Sequence, residues 1–305
     1  MSQPSSNPPH ERLRPIGSSQ NALVKQLRKA FSQATTADDG SVAIEGVKLV
    51  EEAIRSGRHL RAVFFADSAH QRANRLLPQL GHATETILLP DDIFHGCVAT
   101  ETPQGVAALV YPLVSTLDDL FRPATPSVNS PADLPADSPQ DSPPDSPATP
   151  GSLPAAPLIL GCAGLQDPGN LGTILRRAEA FGASGVLCTE GTCSAANPKV
   201  ARASAGSVFR LPCLKLTTVE ALAALQQHGI RLAVTSSHQG RPLHQIDLTL
   251  PTAIFIGGEG HGIPRALFDA ATDAILIPHS PKVESLNAAI AASILLYEAQ
   301  RQRSK

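Results

Sequence analysis

Three loops in the second half of the 305-residue chain carry polar residues that could do chemistry. The first loop, 164–172 (GLQDPGNLG), leads into an apolar helical stripe, and Asn170 stands where it could cap that helix. Arg176 follows inside the helix and off the stripe, although the dipole near a helix start disfavours a cation. This placement points to an anionic partner such as phosphate, while a surface arginine on an ordinary helix is the simpler interpretation.

The second loop is a glycine-rich turn, 255–264 (FIGGEGHGIP), which comes directly after an apolar run. Its glycines let the backbone approach a ligand closely, and Glu259 has little packing reason to lie among them. The turn is not a P-loop, because no Gly-Lys-Ser/Thr follows, and it matches the dinucleotide-binding fingerprint poorly. A tight turn with a structural role only is the alternative.

The third loop lies within 277–300 and ends at a helix that we expect to begin near Leu286. The stretch 286–297 (LNAAIAASILLY) is apolar nearly all round, which predicts a helix buried in a core or a subunit interface. Ser285 and Asn287 stand at its start, where either could act on a ligand or merely cap the helix.

The elements that must position these loops alternate between strands and helices, which predicts an α/β fold with a doubly wound sheet. The continuous apolarity of the strand segments suits parallel strands covered on both faces. Ligands of such sheets bind beyond the carboxyl ends of the strands, where all three loops begin. The predicted strands are 158–162, 185–188, 232–235, 253–256 and 274–277.

A proline-rich segment divides the chain, with eleven prolines, four aspartates and no Lys or Arg between residues 123 and 157. This composition predicts an extended, disordered linker between an N-terminal domain, 1–122, and a second domain, 158–305. The N-terminal domain has a small α/β pattern that begins with a basic helix at 21–31. Its Lys25 and Arg28 could touch a polyanion or simply form a solvated helix face.

The composition narrows the class of protein. The net charge is −2, but four of the 27 acidic residues lie in the linker, which leaves 23 against 25 basic residues and permits an RNA partner. Five cysteines without a CxxC pair argue against a disulfide framework or a metal site and favour a reduced, cytoplasmic setting. The sequence also shows no apolar run long enough to cross a membrane and no secretory signal.

Taken together, the three loops resemble the motifs of the SpoU family of RNA ribose methyltransferases, within the SPOUT superfamily. The matching segments are NLGTILRRAEAFGA, FIGGEGHGIP and VESLNAAIAASILLYEA, and the segment 197–212 (NPKVARASAGSVFRLP) is also similar to the family. SSQNALVKQLRKA, IEGVKLVEEAI and TPQGVAALV look like the family's accessory substrate-binding domain. The third motif departs from the usual Ile-Pro-Met-x-Gly, since His279 and Pro281 stand in it.

The resemblance implies S-adenosylmethionine (SAM) as methyl donor and a ribose 2′-hydroxyl of RNA as acceptor, with rRNA favoured over tRNA. It also implies a SPOUT-type parallel sheet with a C-terminal trefoil knot, a small N-terminal α/β substrate-binding domain and a homodimer through the C-terminal helix. The catalytic residues that it implies are Arg176, Glu259, Ser285, Asn287 and Asn170. The implied cofactor-binding residues are Thr235, Ile256, Gly257, Ile277, Pro278 and Leu286. The expected RNA-binding residues are Lys25, Arg28, Lys199 and Arg202.

Two other functions compete with this interpretation. A noncatalytic RNA-binding or assembly factor could have the same fold, although the intact Arg176, Glu259, Ser285 and Asn287 disfavour it. A nicotinamide oxidoreductase would explain the α/β pattern, but the glycine-rich turn lies in the wrong place for one.

Overall fold

The computed structural model describes residues 12–122, 156–258 and 262–304, and it contains two β-sheets. The first sheet has the strand order β1-β4-β3-β5-β2, with β5 antiparallel to both of its neighbours. Its strands are β1 (Arg14–Pro15), β2 (Val42–Glu45), β3 (Leu60–Ala66), β4 (Glu85–Leu89) and β5 (Val106–Val110). The helices around it are α1 (Ala22–Gln33), α2 (Val47–Arg55), α3 (His70–Leu76) and α4 (Asp91–His95).

Local chemistry explains why α1 begins where it does. The side-chain oxygen of Asn21 accepts a hydrogen bond from the backbone N–H of Leu23 at 3.0 Å, which satisfies an otherwise unpaired helix donor. The apolar stripe that includes Val24, Leu27 and Phe31 is buried, and Lys25 stays exposed. The predicted basic helix is therefore present, with its cationic side toward solvent.

The second sheet has seven strands, all paired in parallel, in the order β10-β12-β9-β11-β6-β7-β8. The expected parallel α/β architecture is thereby confirmed. Its strands are β6 (Leu158–Ala163), β7 (Gly185–Cys188), β8 (Cys213–Lys215), β9 (Arg231–Thr235), β10 (Arg241–Pro242), β11 (Thr252–Gly257) and β12 (Asp273–Leu276). The helices of this half are α5 (Leu117–Phe121), α6 (Pro168–Ala180), α7 (Pro198–Ser204), α8 (Thr218–Gln227), α9 (Arg265–Ala270) and α10 (Ala288–Arg303).

The strand order reverses at the centre of this sheet. The chain runs outward from β6 through β7 to β8 and then returns, so that β9 and β11 lie on the other side of β6. Such a reversal leaves a crevice outside the carboxyl ends of the strands, because the following segments leave in opposite directions. The loop after β6 and the glycine-rich turn after β11 meet there: the Gly258 N–H donates to the carbonyl of Ala163 at 2.8 Å.

Two helix starts differ from the sequence expectation. Asp167, not Asn170, caps α6: its carboxylate accepts from the Asn170 backbone N–H at 2.7 Å, and Pro168 occupies the first turn. Proline suits that position because it needs no N–H partner there, so the helix starts earlier than Asn170. The C-terminal helix α10 begins at Ala288 rather than near Leu286, with Asn287 as its cap.

Residues 112–122 pass from the first sheet to the second. Leu120 in α5 is fully buried with the core of the second sheet, and a Cβ built on Gly185 would lie 2.3 Å from its Cδ2 atom. This short segment thus packs with the second domain, although the sequence analysis assigned it to the first. Most of the expected linker, residues 123–155, lies outside the described residues. Within the part of the chain that is described, no helix has both the length and the apolar content of a membrane span.

Candidate active site

A cavity of about 390 Å³ lies at the carboxyl edge of the second sheet. Its walls come from the ends of β9, β11 and β12, from the glycine-rich turn and from the start of α10. Five of the six residues expected to bind the cofactor line this cavity, namely Thr235, Ile256, Gly257, Ile277 and Leu286. The sixth, Pro278, is exposed and follows Ile277 directly. Three residues that the sequence analysis did not select, His238, His279 and Glu284, also line the cavity.

The glycine-rich turn forms a wall of backbone atoms. A Cβ on Gly257 would lie 2.3 Å from the carbonyl carbon of Gly262, and a Cβ on Gly258 would lie 2.2 Å from the carbonyl oxygen of Gly164. Both distances are far below van der Waals contact, so only glycine fits at either position. The cavity is therefore shaped to bring peptide groups against a ligand.

The first and third motifs meet beside this cavity. The side-chain amide of Asn287 donates to the side-chain oxygen of Asn170 at 3.1 Å, across 117 residues of sequence. The Asn287 oxygen also accepts from the backbone N–H groups of Ala289 and Ile290, which caps α10. Asn287 thus caps a helix and also joins the two motifs, while its role toward a ligand stays a prediction. Ser285 lines the cavity, while Glu259 lies outside the described residues.

Arg176 does not line this cavity. It is exposed on α6 and lines a second cavity of about 630 Å³, which we call the interdomain groove. The groove also includes Lys48, Thr102 and Gln104 from the first domain. The structure therefore groups Asn170, Asn287 and Ser285 near one cavity and places Arg176 in another.

Two arginines connect the domains on either side of this groove. Arg202 on α7 lies 3.1 Å from the carboxylate of Glu45, which is only 5% exposed and also accepts from the Thr100 hydroxyl at 2.6 Å. Arg210 lies 2.8 Å from Glu52 on α2 and 2.5 Å from Glu179 on α6. Sequence reasoning missed Arg210, although it stands in the 197–212 segment, because nothing local indicates a partner more than 150 residues away.

The Arg210 bridge has an electrostatic signature. Burial by itself raises the pKa of Glu179, but hydrogen bonds from Arg210 and Ser207 and the charge of Arg210 outweigh it and hold that pKa below its ordinary value. The same hydrogen bond with Glu179 raises the pKa of Arg210. The ion pair therefore favours the charged form of both groups in the folded state.

The other expected RNA contacts lie on different surfaces. Lys25 and Lys199 are exposed, and Arg28 donates to the carbonyl of Gly96 at 3.3 Å. Arg202 is engaged with Glu45, so any RNA contact by it would have to coexist with that ion pair. The roles of these four residues stay predictions.

The cysteines of the second domain lie in and beside its sheet but form no reactive site. Cys162 and Cys188 are registered on neighbouring strands, and Cys188 is buried. A hydrogen bond with Cys162 and burial raise the pKa of Cys188 well above its ordinary value, so the thiol stays protonated at neutral pH. Within the described residues, no group of three or more His, Cys, Asp or Glu side chains could hold a metal ion.

Each half of the chain matches a known protein family. The SpoU rRNA Methylase family matches residues 157–297, and an MRM3-like substrate binding domain matches residues 21–108. An uncharacterized tRNA/rRNA methyltransferase of Synechocystis sp. is 33% identical, over 94% of this chain and 94% of its own length. The chain belongs to the SpoU family.

Two further similar proteins match nearly the whole chain. The 23S rRNA (guanosine(2553)-2′-O)-methyltransferase RlmP of Bacillus subtilis is 28% identical, over 93% of this chain and 98% of its own. The SpoU methyltransferase AviRb of Streptomyces viridochromogenes, solved in complex with the cofactor AdoMet, has a TM-score of 0.73 and 25% identity, over 93% of this chain and 99% of that one. The resemblance inferred from the motifs is thereby confirmed, whereas the individual site residues and the knot stay predictions.

Proposed function

We propose that this SpoU-family protein transfers a methyl group from SAM to a ribose 2′-hydroxyl of RNA, and that the RNA is ribosomal. The observation that carries the proposal is the glycine-walled cavity at the carboxyl ends of β9, β11 and β12, beside the Asn170–Asn287 pair. A nearby relative, RlmP, is named for 2′-O-methylation of 23S rRNA. The cavity volume of about 390 Å³ falls within the range of about 300–1,000 Å³ that is usual for small-molecule sites.

The residues of the cavity suit the cofactor. Gly257 and Gly258 present backbone groups, while Ile256, Ile277 and Leu286 offer apolar contacts to a flat ring. When bound, SAM supplies an activated methyl group on its sulfonium. The protein has then to hold the ribose in line with that methyl and remove a proton from the hydroxyl.

The polar residues have different proposed roles in this reaction. Ser285 at the cavity and the Asn170–Asn287 pair beside it can orient the acceptor hydroxyl through hydrogen bonds. Arg176 is a clamp for the phosphate of the target nucleotide rather than a base, because a guanidinium stays protonated at neutral pH. Glu259 is proposed as a further catalytic residue on the strength of the second motif alone.

We propose that the protein is a homodimer whose interface includes α10. On α10, Ile290 is 54% exposed and Tyr297 is 56% exposed, and their spacing of seven residues places them on one side of the helix. The opposite side, which includes Leu295 and Leu296, is buried in its own domain. We infer that the exposed stripe packs against a second copy. All five cysteines are free, which agrees with a cytoplasmic enzyme.

A methyl-transfer assay tests the proposal directly. The full chain is incubated with SAM labelled in its methyl group and with transcribed 23S rRNA, with transcribed tRNA as a second substrate. A 2′-O-methyl group blocks alkaline cleavage of the next phosphodiester, so the label should appear in an alkali-resistant dinucleotide from rRNA.

Two results would contradict the proposal. Label in the mononucleotides that alkaline hydrolysis releases would indicate methylation of a base instead of a ribose. Tight binding of SAM and RNA without any transfer would favour the noncatalytic RNA-binding factor.

A further inference from the structure

The interdomain groove is lined by two cationic side chains that have no partner among the described residues. Lys48, at the start of α2, and Arg176, on α6, both line it. Neither side chain forms a hydrogen bond or an ion pair with any residue that the structure describes. Since Glu45 and Glu52 line the same groove, the absence of an ion pair with either of these carboxylates calls for an explanation.

The carboxylates of the groove are already neutralised. Glu45 is held by Arg202 and Thr100, and Glu52 is held by Arg210 and Arg55. The acidic groups therefore do not compete for Lys48 and Arg176. What is left facing the groove is positive charge, which suits an anionic ligand.

The loop on the first-domain side of the groove is preorganised. The Gln104 side-chain oxygen accepts from the Val47 N–H at 3.3 Å, which orients the amide and leaves its NH₂ group available as a donor. The Gln104 backbone carbonyl accepts a hydrogen bond from Arg72. Thr102 is exposed on the same loop and also lines the groove. Rigid donors of this kind bind with little loss of conformational entropy.

The shape and chemistry of the groove fit one RNA form. At about 630 Å³ it has room for a nucleotide-sized group, whereas a duplex presents its bases stacked and its phosphates on a rigid surface. A splayed, single-stranded segment can place a phosphate on a cation while its base edge meets an amide donor.

We propose that the interdomain groove binds a nucleotide of single-stranded RNA next to the target ribose, with Lys48 on its phosphate and Gln104 as a hydrogen-bond donor to its base. This inference rests on the proposed function and adds a specificity site to it. The Arg202–Glu45 and Arg210–Glu52 ion pairs keep the two walls of the groove at a fixed separation. Arg176 then continues the same binding track toward the reacting ribose.

The experiment compares substitutions of Lys48 and Gln104 in the full chain with a matched surface change. The variants are Lys48→Ala, Lys48→Glu, Lys48→Arg and Gln104→Ala, and the control is Arg265→Ala, which removes a 93% exposed cation on α9. The probe is transcribed 23S rRNA, with binding measured over a series of KCl concentrations and methyl transfer measured in parallel. SAM affinity and thermal unfolding are followed for every variant.

Lys48→Ala should weaken RNA binding about tenfold, as expected for loss of a hydrogen bond to a charged group. The slope of log K against log [KCl] should fall by about 0.7, the value for one phosphate contact on a single strand. Lys48→Glu should be worse and Lys48→Arg close to wild type. Gln104→Ala should change which sites are methylated while leaving the salt slope intact, because its contact is not ionic.

The outcomes separate this inference from the proposed function. If the wild type methylates rRNA but Lys48→Glu binds and methylates it like Arg265→Ala, the groove is not an RNA site. If the wild type binds SAM but neither binds nor methylates any RNA tested, the proposed function itself is wrong and the groove inference falls with it. A loss of SAM affinity equal to the loss of RNA affinity would show a general structural defect and would also overturn the assignment.

Discussion

Gly257→Ala tests whether the glycine-rich turn is a cofactor-binding element. The added Cβ would lie 2.3 Å from the carbonyl carbon of Gly262, 2.5 Å from its oxygen and 2.7 Å from the nitrogen of Ile263. Normal contact distances are about 3.5–4.0 Å, so the turn has to open by about 1 Å. All three atoms belong to the backbone, which cannot rotate away as a side chain can.

The magnitude follows from the cost of such overpacking. Inserting a methyl group into a tightly packed site costs about 1–3 kcal/mol. If the open turn no longer presents its peptide groups to SAM, this cost appears as a roughly five- to 150-fold weaker Kd. Gly257 does not have a positive φ angle, so the effect comes from the contact and not from backbone strain.

Isothermal titration with SAM, together with thermal unfolding, measures the effect. Gly81→Ala is the matched control, because a Cβ there meets nothing within 4 Å and its φ is also not positive. Gly262→Ala is a second control, with φ at +64° and open space around the Cβ, so that it reports strain in the turn without a clash. A folded Gly257→Ala protein with wild-type SAM affinity would refute the cofactor role of the turn.

Substitutions at three further polar residues test their roles. Arg176→Ala should leave folding and SAM binding intact, while methyl transfer falls at least about 100-fold. Arg176→Lys should recover little activity, because a point charge does not reproduce the planar fork of donors. A lysine variant with a near-normal single-turnover rate would contradict the bidentate clamp. Asn287→Ala should lower the free energy of unfolding by about 1 kcal/mol, because the α10 cap is lost. Asn287→Asp should keep the cap but lose the hydrogen-bond donor to Asn170, so that methyl transfer becomes slow. Wild-type activity of the aspartate variant would show that the contact is dispensable. Glu179→Gln should lower the free energy of unfolding at pH 7 by up to about 1 kcal/mol. The pKa of Glu179 in the folded protein lies below its ordinary value of 4.5, so the stabilisation is present above pH 4.5 and is lost as the pH falls through the lower folded pKa. Denaturant titrations measure the difference in free energy of unfolding between variant and wild type. A difference that stayed constant down to pH 3 would argue against the Arg210 ion pair.

Several features of this protein were determined by local sequence. The continuous apolar runs predicted five of the seven strands of the second sheet to within about two residues, because a strand buried on both faces has no polar position. The glycines of the turn after β11 were recognisable because a backbone wall tolerates no side chain. Asn21 marked the start of α1, since its side chain bonds only two residues ahead.

Other features were decided by neighbours that local sequence does not reveal. Strands β8 and β10 of the second sheet were missed. They have only three and two residues, none of them fully buried, so neither forms an apolar run in the sequence. Asp167 rather than Asn170 caps α6, because Pro168 can occupy the first turn of the helix. The spacing of the residues alone did not decide between these two caps. The Leu120 segment joined the second domain because Gly185 leaves room for it there.

The arrangement of the site itself came from tertiary structure. Asn170 and Asn287 are 117 residues apart in sequence, and their contact exists only because β6 and the segment after β12 end at the same edge of one sheet. Arg202 contacts Glu45 and Arg210 contacts Glu52, which lie 157 and 158 residues away in sequence and in a different domain. Sequence determined which residues were suited to chemistry, since side-chain type and backbone freedom are local properties. Only folding determined which of them meet, because hydrogen bonds and ion pairs depend on distances that the parallel sheet and the domain interface set.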